Sequence, residues 1–273
     1  MDKVATKSAA LANVEIYEVQ TPQEYAQGAP HIKHRQLRIL FDQLAGQVYN
    51  HSAQNSNSPT MLDLGAGEGS LTCWFLEHGA KITAVDIAEN RLKSLQQRCA
   101  QFKNRLEVRC EDINETLAKI EHKYDIIALN SVLHHVPDYL SLLEAAIDAL
   151  APGGQVFSFQ EPLRYDSLAG FTRRFSGLAY YCWRITQGDI WAGLGRYLRR
   201  ARGIYLQDCR QDNADYHATR NGLDQDAIAE LLTSRNLQCR VVKYFSTQSR
   251  LFQKLGAMLK LENTFAVIGC KAS

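Results

Sequence analysis

Met61-Leu62-Asp63-Leu64-Gly65-Ala66-Gly67-Glu68-Gly69-Ser70 reads as a short apolar strand running into a glycine-rich turn that opens a helix. Glycine turns tightly and lets a ligand approach the backbone with no Cβ in the way. The helix behind it offers unpaired N–H groups to a polar or anionic ligand. The pattern is G-x-G-x-G, whereas a dinucleotide fingerprint asks for G-x-G-x-x-G, so a nicotinamide oxidoreductase is a distant reading.

Further strands follow at the intervals of an alternating β/α chain. Lys81–Asp86 ends in a carboxylate able to accept from both hydroxyls of a ribose. Arg105–Cys110 leads into Glu111-Asp112-Ile113, where an acceptor can meet an adenine amino group. Tyr124–Leu129 runs into Asn130-Ser131-Val132-Leu133-His134-His135-Val136-Pro137-Asp138, and Gln155–Gln160 follows the turn Ala151-Pro152-Gly153-Gly154. Leu237–Phe245 and Thr264–Lys271 read as two more strands. Alternation up to Gln160 predicts a parallel sheet covered on both faces.

In this order, D-L-G-A-G-E-G, V-D-I, E-D-I, L-H-H-V-P-D and L-A-P-G-G resemble the class I S-adenosylmethionine-dependent methyltransferases. The chain is most similar to their small-molecule branch, which includes ubiquinone/menaquinone-type enzymes. The resemblance covers residues 58 to 162, with a weaker tail from 223 to 273. It implies an α/β, Rossmann-like, seven-stranded, mostly parallel sheet with helices on both faces and a helical cap inserted after strand 5. The expected division is an N-terminal helical segment and linker (1–57), the cofactor-binding core (58–162), the cap (163–222) and the last helix and strands of the core (223–273).

The resemblance also implies site roles. S-adenosyl-L-methionine is the expected cofactor and S-adenosyl-L-homocysteine its product. Gly65 and Gly67 would admit the methionyl part with Asp63 helping to hold its amino group, Asp86 would take the ribose and Asp112 the adenine, Asn130 would line the channel with its backbone, and Ala66, Ile87, Ile113 and Ser131 belong to the same cofactor-binding set. His135, His134 and Glu161 are candidate general bases, since a near-neutral imidazole can take a proton from a phenol or alcohol. A structural helix-start role competes for the two histidines. Tyr216, His217, Arg199 and Arg200 are candidate substrate contacts, and His31 and His34 could cover the cofactor. The expected activity moves a methyl group to O or C of a small, partly apolar, anionic or lipid-linked molecule. The rival reading is a protein of the same fold that binds the cofactor but catalyses another reaction or regulates.

Composition agrees with a folded α/β chain. Of 273 residues 45% are hydrophobic and the net charge is +2, ample for a core. No apolar run reaches the roughly 18–20 residues that span a bilayer, and the start lacks a signal-peptide layout, so a cytoplasmic enzyme is expected. Cysteines 73, 99, 110, 182, 209, 239 and 270 form no C-x-x-C pair. They read as free thiols, with no metal site expected. Leu37, Leu40, Phe41, Leu44 and Val48 predict an amphipathic helix over 33–49, followed by a polar linker, 51–59.

Residues 163–203 differ in kind, with eight arginines against Asp166 and Asp189 and eight interleaved aromatics. Leu168, Phe171, Phe175, Leu178 and Ile185 recur at helical spacing, as do Trp191, Leu194 and Leu198, predicting two amphipathic helices. Three readings stay open: arginines as a solvated face over packed aromatics, a clamp on an anionic substrate, or a basic surface for peripheral contact with anionic lipid. A nucleic-acid substrate is disfavoured, because Asn130-Ser131-Val132-Leu133 stands where base amino-methyltransferases carry an N-P-P-Y-type motif.

Overall fold

The computed structural model describes residues 3–18, 28–186 and 214–272. Helix α1 (Lys3–Tyr17) comes first, then the short α2 (Pro30–Lys33) and the long α3 (Arg35–Ala53). From β1 (Thr60–Leu64) strands and helices alternate: α4 (Ser70–Glu77), β2 (Lys81–Asp86), α5 (Glu89–Arg98), β3 (Leu106–Cys110), α6 (Ile113–Ala118), β4 (Tyr124–Asn130), α7 (Tyr139–Asp148) and β5 (Leu150–Pro162). Helix α8 (Gly170–Thr186) follows, then α9 (Tyr216–Thr219), α10 (Gln225–Ser234), β6 (Leu237–Tyr244), α11 (Arg250–Met258) and β7 (Thr264–Lys271).

The seven strands lie in the order β3-β2-β1-β4-β5-β7-β6, and only β7 runs antiparallel to its neighbours. One core layer, around Leu62, Leu64, Ile127 and Leu129, covers one face of the sheet with Leu142, Leu143 and Ile228. The other, around Met61, Ile82, Ile126 and Phe157, packs on Leu44, Val48 and Phe75. Strands buried on both faces explain why β1 and β4 read as continuous apolar runs rather than alternating ones. Chain order reverses between β1 and β4, which opens a crevice beyond their carboxyl ends.

The sequence expectations differ from the structure at several places. Helix α3 runs into the expected linker because its polar end is held: Gln155 Nε2 donates to Val48 O at 2.9 Å and to Ser52 Oγ at 3.1 Å. Strand β5 begins at Leu150 rather than 155, since Leu150 already pairs with Tyr124 before a register shift. The free-thiol expectation is corrected for one pair. Cys73 in α4 and Cys99 at the end of α5 are disulfide-bonded across a Cα–Cα distance of 6.1 Å, on helices that sequence separation hides as neighbours. Cys110, Cys182, Cys239 and Cys270 are free. The first expected cap helix is α8; Trp191, Leu194, Leu198, Arg199, Arg200 and Cys209 lie outside the described residues. No helix among the described residues is long and apolar enough to cross a membrane.

Candidate active site

A cavity of about 830 Å³ opens over the carboxyl ends of β1, β2, β4 and β5. That volume suits a small-molecule site. Every residue expected to hold the cofactor, from Asp63 to Ser131, lines it. The glycine turn makes its floor. Gly65 sits at φ +74°, and a Cβ there would stand 2.4 Å from Val132 Cγ2, so a side chain is excluded by both backbone and packing. Gly67 donates its N–H to Asp86 Oδ2 at 2.8 Å while Ala88 N–H donates to Oδ1 at 2.8 Å, tying the turn to the end of β2. Burial raises the Asp86 carboxyl above its usual range, against these two bonds and the Arg91 guanidinium. Asp112 caps α6, with Oδ1 accepting from Asn114 N–H at 2.8 Å.

Asp63, at the end of β1, is wholly buried. Its Oδ2 accepts from Thr72 Oγ1 at 2.6 Å, but its Oδ1 has no partner. Desolvation pushes its pKa from 3.8 up to about 7. Asn130 Oδ1 is a second buried acceptor without a partner. Unmet buried acceptors cost stability unless something donates to them. Ser131 and Gln160, both non-glycine and both lining the cavity, sit at φ 59° and 67° at the ends of β4 and β5. Such strain concentrates at ligand sites; Ser131 is held there by its N–H to Phe159 O at 2.8 Å, Gln160 by its N–H to Tyr244 Oη at 3.0 Å.

The L-H-H segment forms a short 3₁₀ turn, Leu133–His135, whose start is wrapped around Glu161. Glu161 is fully buried and does not line the cavity. Its Oε1 accepts from the N–H of Val132 (2.9 Å) and Leu133 (3.0 Å), and its Oε2 from His134 N–H (3.2 Å) and His134 Nδ1 (2.7 Å). Burial alone would lower the His134 pKa, but the Glu161 charge and hydrogen bond raise it overall.

His135 is arranged differently. Its Nδ1–H donates to Ala214 O at 2.7 Å, which leaves the lone pair on Nε2, and Tyr17 Oη lies 3.3 Å from Nε2. Desolvation, then the neighbouring His134, lowers its pKa well below 6.5, so the near-neutral value expected for this imidazole is displaced by burial. His134, His135 and Asp215 bring ligand atoms within 4.8 Å of one another, although the Nδ1 of each histidine already has a protein partner.

Helix α1 roofs the cavity through Ala9, Ala10, Asn13 and Tyr17. Its end is fastened to α5, with the Arg91 guanidinium 4.3 Å over the Tyr17 ring and Asn90 Nδ2 donating to Glu18 O at 3.1 Å. Tyr17 escaped the sequence reading; the available signal was an alanine-rich run without breaks from Lys3 to Tyr17. His31 lines the cavity with both ring nitrogens buried and unpartnered, its pKa lowered by desolvation to about 4. His34 instead turns Nε2 to Thr247 O at 2.7 Å. Tyr216 and His217 do not line the cavity. Asp215, Ala218, Thr219 and Arg220 of the same segment do, while His217 Nε2 lies 3.1 Å from the carbonyls of Val136 and Pro137.

Comparison with known proteins follows the same residues. The family described as "methyltransferase domain" matches residues 62–156. The chain carries a class I S-adenosylmethionine-dependent methyltransferase domain. Curated relatives of this domain include ubiquinone biosynthesis O-methyltransferases. That of Nitrosospira multiformis is 32% identical over 97 residues, 36% of this chain and 41% of the relative. That of Idiomarina loihiensis is 36% identical over 113 residues, 41% of this chain and 46% of the relative. The matched stretch therefore spans under half the length of these relatives. Among solved structures, magnesium protoporphyrin IX methyltransferase from Synechocystis PCC 6803 with bound S-adenosylmethionine aligns with a TM-score of 0.56 at 13% identity over 97% of both chains. The N-methyltransferase NodS of Bradyrhizobium japonicum WM9 aligns at 0.55 and 12% identity, covering 99% of this chain and 100% of its own. Likeness at that identity concerns the fold. The shared fold thus extends over nearly the whole chain.

Proposed function

We propose that this protein is an S-adenosylmethionine-dependent O-methyltransferase acting on the hydroxyl of a small, partly apolar molecule, with His135 as general base. One observation carries the reading: a half-buried imidazole whose Nε2 lone pair meets a phenolic hydroxyl, that of Tyr17, in the same cavity as the glycine turn and the carboxylates of Asp63, Asp86 and Asp112. The curated relatives, named for O-methylation in ubiquinone biosynthesis, support an oxygen acceptor of apolar character.

The residues fit the cofactor. Asp63 Oδ1 is a buried acceptor awaiting a donor, and the ammonium of the methionyl end is the donor it suits. Asp86 would hold the ribose with lone pairs left by Gly67 and Ala88, and Asp112 and Ile113 the adenine. When bound, S-adenosylmethionine supplies an electrophilic methyl on a sulfonium.

The chain's own part is alignment and proton handling. His135 takes the acceptor's hydroxyl proton at Nε2 as the oxygen pair attacks, the acceptor's hydroxyl standing where that of Tyr17 now meets Nε2, and Ala214 O keeps the tautomer that leaves Nε2 unprotonated. Glu161 acts through others: it fixes the 3₁₀ turn and the His134 ring, hence the place of His135. Holding nucleophile and methyl in line can be worth several kcal/mol, roughly 7–11 in the best cases. The partner is a small-molecule substrate, together with peripheral contact at an anionic lipid surface. The test is product analysis with methyl-labelled S-adenosylmethionine and alkyl-chain phenols or quinols. Label on oxygen supports the reading, and cofactor binding without transfer to any hydroxyl would favour a protein that uses this fold otherwise.

A further inference from the structure

Large apolar side chains left in solvent gather on two helices. Phe171 (61% exposed) and Leu178 (54%) belong to α8, and Leu251 (64%) and Met258 (79%) to α11, with Leu259 just after it. The two helices are packed together: the Phe175 ring of α8 meets Phe245 and Phe252 at centroid distances of 5.6 and 5.3 Å, and Asn263 Nδ2 donates to Ser176 Oγ at 3.1 Å. Single exposed apolar residues are ordinary, whereas a gathered patch marks an interaction surface.

Charge identifies the occupant. Neither helix contains an acidic residue, and Arg173, Arg174, Arg250, Lys254 and the adjoining Lys260 are exposed cations. Among the described residues, the nearest acids along the chain are Asp166, 3.6 Å from Arg173, and Glu262. An interface with a second copy through the same patch would set these cations against themselves. An anionic bilayer surface meets both needs, since cations pair with headgroups while the apolar face enters the acyl boundary. Helix α8 also lines the cavity through Arg173, Ser176, Gly177 and Tyr180, so the patch adjoins the site.

We propose that the α8–α11 face docks on an anionic lipid surface and presents the cavity to apolar acceptors dissolved in it. This rests on the membrane contact advanced above and locates it. The test is co-sedimentation of the full chain with vesicles of phosphatidylcholine alone and of phosphatidylcholine mixed with phosphatidylglycerol, beside the variant Leu251→Ser/Met258→Ser/Leu259→Ser. The parent is expected to sediment with the mixed vesicles only, and less as salt rises. The variant should partition on the order of 10-fold more weakly, with S-adenosylhomocysteine affinity unchanged as the measure of an intact fold. A variant that sediments like the parent overturns this face as the contact while membrane contact itself stands. A parent that stays in the supernatant overturns both, and a parent dimer that the variant dissolves, with vesicles ignored, assigns the face to a second copy instead. Methyl transfer to soluble phenols reports on the O-methyl reading independently.

Discussion

Asp63 links the cofactor site to pH. Burial in the fold raises its pKa from 3.8 to about 7. As pH climbs through that window the unfolded chain gives up this proton and the folded chain keeps it, so without added ligand the protein should lose stability, with the loss complete above about 7. An ammonium at Oδ1 reverses the preference. S-adenosylhomocysteine should therefore bind more tightly as pH rises from about 5 towards 7, by up to roughly 10-fold per unit, then level off. Calorimetry across pH checks this, and Asp63→Asn should flatten the curve. Asp86→Ala should weaken the same ligand on the order of 10- to 100-fold, because a hydrogen bond to a charged group is worth about 1.5–3 kcal/mol; an unchanged Kd would refute the ribose assignment. His135 adds a second pH signature. Its working form is neutral and its pKa is held well below 6.5, so with S-adenosylmethionine saturating at every pH, kcat/KM for the acceptor should stay flat on the acid side down past the ordinary histidine value. A fall centred near 6.5 would point to another base.

At the scale of elements, the 3₁₀ turn Leu133–His135 is only as well placed as Glu161 keeps it. Glu161→Gln replaces one carboxylate oxygen with an amide donor facing N–H groups that need an acceptor. The expected cost is about 1–3 kcal/mol, read as a lower denaturation midpoint, together with a fall in kcat larger than any change in cofactor Kd. Equal kcat would leave Glu161 a purely structural residue. This pairing marks the limit of the sequence reading. Glu161 and His134 both stood out as candidate bases, but their 2.7 Å contact joins residues on two strand ends, and no local pattern reports that. The glycine turn and the carboxylates at 63, 86 and 112 were legible because strand, turn and helix start follow one another in the chain. Tyr17 was not, because its partner His135 lies 118 positions away. Tyr216 and His217 do not line the cavity although their neighbours do: sequence placed the segment near the site, while backbone carbonyls claimed the His217 ring.

For the whole molecule, alternation and burial on both sheet faces made the seven-stranded architecture readable, including its two late strands. The cavity needed the third dimension, since its roof comes from α1 and α8, which precede and follow the strands it covers. Residues 9–17 close it over Gly65 and His135, and α8 joins it to the basic apolar face with α11. Cofactor floor, proton acceptor and acceptor channel thus meet in one cavity built by distant segments, and the account stands on His135 taking the acceptor's proton there. Transfer of labelled methyl from S-adenosylmethionine to the oxygen of an alkyl phenol, in the parent and in His135→Ala, tests that claim most directly. A positioned base contributes typically about 10²- to 10⁴-fold, so the variant should lose at least about 100-fold in kcat with S-adenosylhomocysteine affinity kept. Transfer at the parental rate in His135→Ala would contradict it.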